Sequence, residues 1–230
     1  MAGVSRLQYT DEIRFVRVMC SGRVDLEFIF RAFLRGMDGV FIGGCRLNEC
    51  NYVTHGNYDA LGNTYIGRRI MQHMGIDPLR LHIEFMNSGD GNILANSVNA
   101  FTEEIRDKGP LGKPEGIDPD EMESGLETVI RLVPWIKMVE RERLRVHDRS
   151  EKGYRDFFTS EDFERLFSEL IADRLDAGRI MLLLREKPLS TKEISEKMNL
   201  GPSEVARHMS RSSMQGLVRY DVETRCYAPA

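Results

Sequence analysis

Several things are missing from these 230 residues, and each absence closes off a class of function. No apolar run approaches the roughly 20 residues that a membrane-spanning helix needs, and the start shows no signal-peptide pattern. The expectation is a soluble, cytoplasmic chain. A large excess of one charge is absent too: 32 Lys and Arg against 36 Asp and Glu leave a net charge of −4. That balance suits neither a nucleic-acid-coating protein nor a membrane-surface binder. Neither a G-x-G-x-x-G fingerprint nor a phosphate-binding P-loop occurs, so Gly43-Gly44 and Gly89-Asp90-Gly91 read as turns. No Ser/His/Asp or paired-carboxylate arrangement suggests hydrolysis. Cysteine is scarce at four, too few for a disulfide scaffold.

What is present is concentrated. Three of the four cysteines, Cys20, Cys45 and Cys50, fall within one stretch. Ile13, Phe15, Val16 and Val18 read as a strand rich in β-branched and aromatic residues, with Cys20 just past its end. Val40-Phe41-Ile42 reads as a second, closed by Gly43-Gly44, and Cys45 follows at once. Val24 to Leu34 has helical spacing with Gly36 as its stop. Strand, helix, strand implies a right-handed crossover between parallel strands. Ligands of such sheets gather beyond the carboxyl ends of the strands, so the thiols are expected to converge there.

Further along, Tyr65 to Met74 fits an amphipathic helix, Leu79 to Met86 a third strand, and Ile93 to Ile105 another helix. Residues 1–109 are therefore expected to form an α/β domain with a small parallel sheet and flanking helices. Gly109 to Gly116 is a break. Residues 110–155 read as a linker and helical connector, with Pro134 as kink or junction, Trp135 as a docking element and Glu140–Arg145 as a solvated face. Residues 156–230 read as a winged-helix-like domain. Ser190 and Glu193 have capping-box spacing, Asn199-Leu200-Gly201 is a tight turn, Ser203 opens a second helix, and two short strands follow.

The cysteines admit more than one chemistry. Cys45-x4-Cys50 has the spacing that opens the plant-type 2Fe–2S ligand set. Cys20, Cys45, Cys50 and His55 would equally make a Cys3His zinc set, and free cysteines are often small buried hydrophobes. Cys226 is expected to be inert. In the C-terminal part, Arg207, His208 and Arg211 would face a DNA groove if the second helix were a recognition helix. That segment is only slightly basic, however, where a DNA reader shows a clear positive stripe.

The strings Arg6-Leu-Gln-Tyr9, Val18-Met-Cys20-Ser-Gly-Arg-Val-Asp25, Asp38-Gly-Val-Phe-Ile-Gly-Gly-Cys45, Cys50-Asn-Tyr52 and Gly56-Asn57 carry a resemblance. Residues 1–110 resemble the delta subunit of methyl-viologen-reducing hydrogenase. The resemblance implies a small iron–sulfur electron carrier in which Cys20, Cys45 and Cys50 are 2Fe–2S ligands. It also implies partners: a hydrogenase or formate dehydrogenase type subunit on one side, a heterodisulfide-reductase-like flavoprotein on the other. Ser21, Gly22, Gly43 and Gly44 are where backbone amides would approach the sulfurs and tune the potential. Family members begin with a further strand and helix bearing a Cys-x-x-Cys pair, absent from this sequence. The expectation is that the native start lies upstream of Met1, or that three thiolates borrow a fourth ligand. A redox- or metal-sensing transcriptional regulator and a zinc-stapled scaffold are the alternatives. The first would bind DNA as a dimer with steep salt dependence, and the second would hold metal without colour.

Overall fold

The computed structural model describes residues 7–52 and 56–230. Helix α1, Leu26–Leu34, starts where the Asp25 carboxylate accepts from the Glu27 N–H at 2.8 Å and from that of Phe28. It buries Leu26, Ile29, Phe30 and Phe33, one helical stripe, and stops before Gly36, whose φ of +83° suits glycine. Strand β1, Val40–Gly44, pairs in parallel with β2, Leu81–Phe85, in the register Val40 to Leu81 through Gly44 to Phe85. Helix α2, Asn57–His73, makes the crossover, and α3, Gly91–Lys108, follows β2. The small parallel sheet with flanking helices is thus present, with two strands.

The expected first strand is not. Residues 13–18 run without any ladder partner among the described residues, and Phe15, Val16 and Met19 are 60%, 83% and 88% exposed. Strand propensity is realised only against a neighbouring edge and a covered face, and this run has neither. The crossover therefore joins β1 to β2 through α2, rather than the Ile13 run to β1 through α1.

Helix α4, Pro119–Arg143, opens with Asp118 as cap and Pro119 in its first turn, and continues straight through Pro134. The proline's missing N–H breaks one helical bond, but buried Val129 and Val133 before it and Ile136 and Val139 after it anchor both halves to the core. Then come α5 (Glu151–Phe158), α6 (Glu161–Phe167), a π-helical stretch Ser168–Ala172 and α7 (Asp173–Glu186). One continuous core runs through α1, α2, the sheet, α4, α5, α6 and Leu175 of α7.

Trp135 is used inside this unit. Its Nε1 donates to the Leu170 carbonyl at 2.8 Å, and the Arg174 guanidinium lies 3.6 Å over its ring, so it is not a free docking element. Arg80, fully buried, ties the glycine–proline break to the sheet. It pairs with Glu115 at 2.6 Å and donates to the carbonyls of Asp38 and Gly109.

A second core joins Ile180 and Leu184 of α7 to α8 (Thr191–Met198), α9 (Pro202–Met214) and the antiparallel pair β3 (Val218–Asp221) and β4 (Cys226–Pro229). The Ser190 capping box is formed with Glu193, and Asn199 takes the left-handed turn between α8 and α9. Leu189 exchanges backbone hydrogen bonds with Tyr227, fastening the hairpin to the start of α8. No helix among the described residues is long and apolar enough to cross a membrane.

Candidate functional site

The carboxyl end of β1 is where the cysteines gather. Two close approaches, possible only because both residues lack a side chain, build the place. A Cβ on Gly44 would stand 2.9 Å from the Ser21 Oγ and 3.1 Å from the Phe85 ring, so the Cys20–Arg23 turn packs directly on the strand end. A Cβ on Gly56 would fall 2.5 Å from the Cys50 sulfur and 2.5 Å from the Tyr52 carbonyl. Gly56 is also the N-cap of α2, which sets the positive end of that helix's dipole beside the sulfurs.

The turn carrying Cys20 is closed by the Arg23 N–H donating to the Cys20 carbonyl at 3.0 Å, and Val24 to Ser21 at 2.9 Å. The loop carrying Cys45 and Cys50 is held from α2. The buried Asn57 amide donates to the carbonyls of Cys45 (3.0 Å) and Arg46 (2.7 Å), and the Tyr58 hydroxyl donates to Asn48 Oδ1 at 2.9 Å. Arg46 pairs with Asp90 at 2.6 Å, joining the same loop to the turn before α3. Asn57 and Gly56 stand in the sequence string that carries the family resemblance. Nothing in that string says that one braces the loop and the other yields space to a sulfur.

Of the three thiols, Cys20 lies near enough to Cys50 and Cys45 for both to act on its proton affinity. Cys45 is exposed. Burial pushes the Cys20 thiol above its ordinary value, the Gly22 N–H opposes this, and the neighbouring Cys50 and Cys45 add to it. His55 lies outside the described residues. Among the described residues no set of three or more His, Cys, Asp and Glu side chains is drawn together as a finished metal site. The donor chemistry nonetheless suits a soft metal centre. Three thiols lie around one strand end, and glycine gaps occur where side chains would intrude.

The residues expected at a DNA groove are otherwise engaged. Arg207 and Arg211 both pair with Asp173 of α7, at 3.0 and 2.7 Å. His208 is 3% exposed, and burial holds its pKa below the ordinary value. It lies on the inner face of α9 because the helix turns Val205, His208, Met209 and Ser212 inward together. Cys226 sits in β4, its sulfur donating to the Thr224 carbonyl at 3.3 Å.

Comparison with known proteins bears on residues 1–109, which match the model of the family described as methyl-viologen-reducing hydrogenase, delta subunit. The iron-sulfur protein of the F420-non-reducing hydrogenase of Archaeoglobus profundus is 40% identical over 111 residues, which is 48% of this chain and 80% of that protein. A component of the ferredoxin/F(420)H(2)-dependent CoB-CoM heterodisulfide reductase of Methanosarcina acetivorans is 39% identical over 112 residues. The matched stretch is 49% of this chain and only 14% of that longer protein. In the corresponding component of the ferredoxin:CoB-CoM heterodisulfide reductase of Methanosarcina mazei, the match is 35% identical over 57% of this chain and spans 16% of the protein. Through residues 1–109, this chain belongs to the methyl-viologen-reducing hydrogenase delta subunit family.

Proposed function

We propose that the chain is an electron-transfer subunit whose iron–sulfur cluster is held by Cys20, Cys45 and Cys50. A 2Fe–2S cluster bound there would take up and release single electrons, with a fourth ligand from outside these three residues. The observation that carries the reading is the placing of Cys45 directly after β1, with the turn after Cys20 packed on Gly44 and the Cys50 sulfur packed on Gly56. Each residue has a physical task. Asn57 and Tyr58 hold the Cys45–Cys50 loop against α2, so its sulfurs keep one geometry. Gly22 offers an amide to the Cys20 sulfur, the kind of hydrogen bond that raises a cluster potential. The exposure of Cys45 leaves the site near the surface, where a donor and an acceptor cofactor could approach.

Relatives named as hydrogenase iron-sulfur subunits and as heterodisulfide reductase subunits support a place between two such modules. On this proposal electrons pass between a hydrogenase or formate dehydrogenase type module and a heterodisulfide-reductase-like flavoprotein. The α7–β4 unit, read as winged-helix-like, is then a protein-docking module, since Asp173 already occupies the two arginines a DNA reader would use.

The test is iron and acid-labile sulfide per chain, measured on the full chain reconstituted anaerobically, followed by an optical redox titration. About two of each with reversible bleaching is expected. One zinc per chain with no iron uptake would sink the reading.

A further inference from the structure

Strand β2 pairs with β1 on one side only, and its register fixes what the other side presents. The Met86 N–H donates to the Gly44 carbonyl at 2.8 Å. Alternation along the strand therefore turns the backbone groups of His82 and Glu84 toward β1 and those of Leu81, Ile83 and Phe85 away from it. Among the described residues nothing pairs with the outward N–H and carbonyl of Ile83. The Phe85 N–H meets only the Glu84 carboxylate, at 3.3 Å. The Leu81 carbonyl accepts from Arg68 Nε at 2.9 Å and keeps a second lone pair. Such an edge is a template for another strand, and β2 carries no lysine, proline or bulge that would prevent it.

The side chains say which strand fits. Leu81, Ile83 and Phe85 turn toward the core, while His82 and Glu84 share the opposite face. There the imidazole of His82 packs on the rings of Phe41 and Phe101, with centroids 5.2 and 5.6 Å away. Its Nε2 stands 3.7 Å from the Glu84 carboxylate, too far for a hydrogen bond, and both side chains are more than a third exposed. Each can take a partner from outside. An antiparallel copy of the strand centred on Ile83 supplies one, because it sets His82 opposite Glu84 and Glu84 opposite His82. Ile83 then faces Ile83 as a hydrogen-bonded pair that satisfies both outward groups, and the charged pairs fall at the closer, non-hydrogen-bonded positions. Sliding the copy by two residues, which keeps the faces matched, would put His82 on His82 or Glu84 on Glu84.

We propose that β2 is a self-recognition edge, through which two copies of this chain join antiparallel about Ile83 into one four-stranded sheet. The symmetry is a closed twofold. Because the strands run in opposite directions, the two cysteine sites stand at opposite ends of the joint sheet, and each stays open to partners of its own. The inference rests on β2 alone and stands or falls apart from the function proposed above.

The experiment is sedimentation equilibrium of the full chain, kept reduced so that no thiol links two copies. One strand pair is a small interface, so a reversible dimer is expected, of twice the 26.4 kDa chain mass and with a dissociation constant on the order of 10–100 µM. His82→Glu and Glu84→His, each setting like groups opposite one another at two places, should weaken it by about tenfold. The double exchange, His82→Glu with Glu84→His, should restore it. Ile83→Pro removes an outward N–H that β1 does not use, and should abolish the dimer while circular dichroism shows the fold retained. If that variant fails to fold, the charge exchange decides. In the parent, hydrogen exchange of the Ile83 amide, followed by NMR, should slow as concentration rises. A monomer at every concentration up to about 1 mM, a dimer indifferent to these variants, or single-variant losses that the double exchange fails to repair would each overturn the proposal.

Discussion

Glu140 offers a quantitative test of the packing between α2, α4 and α5. It belongs to a charged run of α4, yet it is partly buried, with its Oε1 and the Tyr154 ring both within 4 Å of where a Cβ on Gly62 would stand. Burial raises its pKa to about 7 and Asp59 and Asp25 add to this, while Lys137 and Arg141 oppose it. The folded state therefore binds this proton more tightly than the unfolded chain, where the carboxyl has its ordinary 4.5. At about 1.4 kcal/mol per tenfold in proton affinity, the difference is about 3 kcal/mol. This contribution is fully present below pH 4.5, is lost as pH rises, and is gone above about 7. Glu140→Gln, neutral at every pH, removes it. The variant should match the parent near pH 4.5 and become more stable by up to about 3 kcal/mol at pH 8. Urea unfolding followed by the fluorescence of Trp135, which sits on the same helix, reads the difference at each pH. Other carboxyls titrate alike in both proteins and cancel. A difference flat from pH 4.5 to 8, or a variant less stable at pH 8, would refute the buried-carboxyl reasoning.

Arg80→Met should cost about 3–5 kcal/mol in urea melts, because it strands the buried Glu115 carboxylate and orphans two carbonyls. Adding Glu115→Gln should recover part of that loss, since Arg80 overcomes the effect of burial and holds the Glu115 pKa below its ordinary value. Gly56→Ala should displace the Cys50 sulfur and lower iron uptake on reconstitution. Gly43→Ala, where a Cβ would have nothing within 4 Å, should leave uptake intact. Asn57→Ala should lose about 2 kcal/mol by leaving the Cys45 and Arg46 carbonyls without their donor, read as a lower melting temperature.

Much of this protein is legible in its residues alone, and the reason is local. Helix α1 declares itself by the spacing of Leu26, Ile29, Phe30 and Phe33 and by its Asp25 cap. The capping box at Ser190 and the left-handed Asn199 are settled by short-range chemistry. Strands β1 and β2 stand out as apolar or alternating runs bounded by turn residues, and their parallel pairing follows from the helix between them. That places Cys45 at a strand end, and the resemblance of residues 1–110 supplies the family.

Tertiary contact decided the rest. The Ile13–Val18 run has strand composition, but among the described residues no ladder edge meets it, so composition alone did not make it a strand. Residues Asn57 to Thr64 look like a polar loop, yet they open α2, because Asn57 and Asn63 spend their amides on the carbonyls of Cys45, Arg46 and Val24 while Ala60 and Leu61 enter the core. Pro134 reads as a kink or junction and lies inside one helix, with buried apolar residues on both sides of it. Arg80, Glu140 and His208 look like surface residues, and the helices and loops around them turned them inward. The order of residues was enough to put thiols at the end of a strand. Only the folded chain decided how the turn after Cys20 and the Cys50 loop close on that end, because that depends on Gly44 and Gly56 letting Ser21 and the Cys50 sulfur come within a side chain's width.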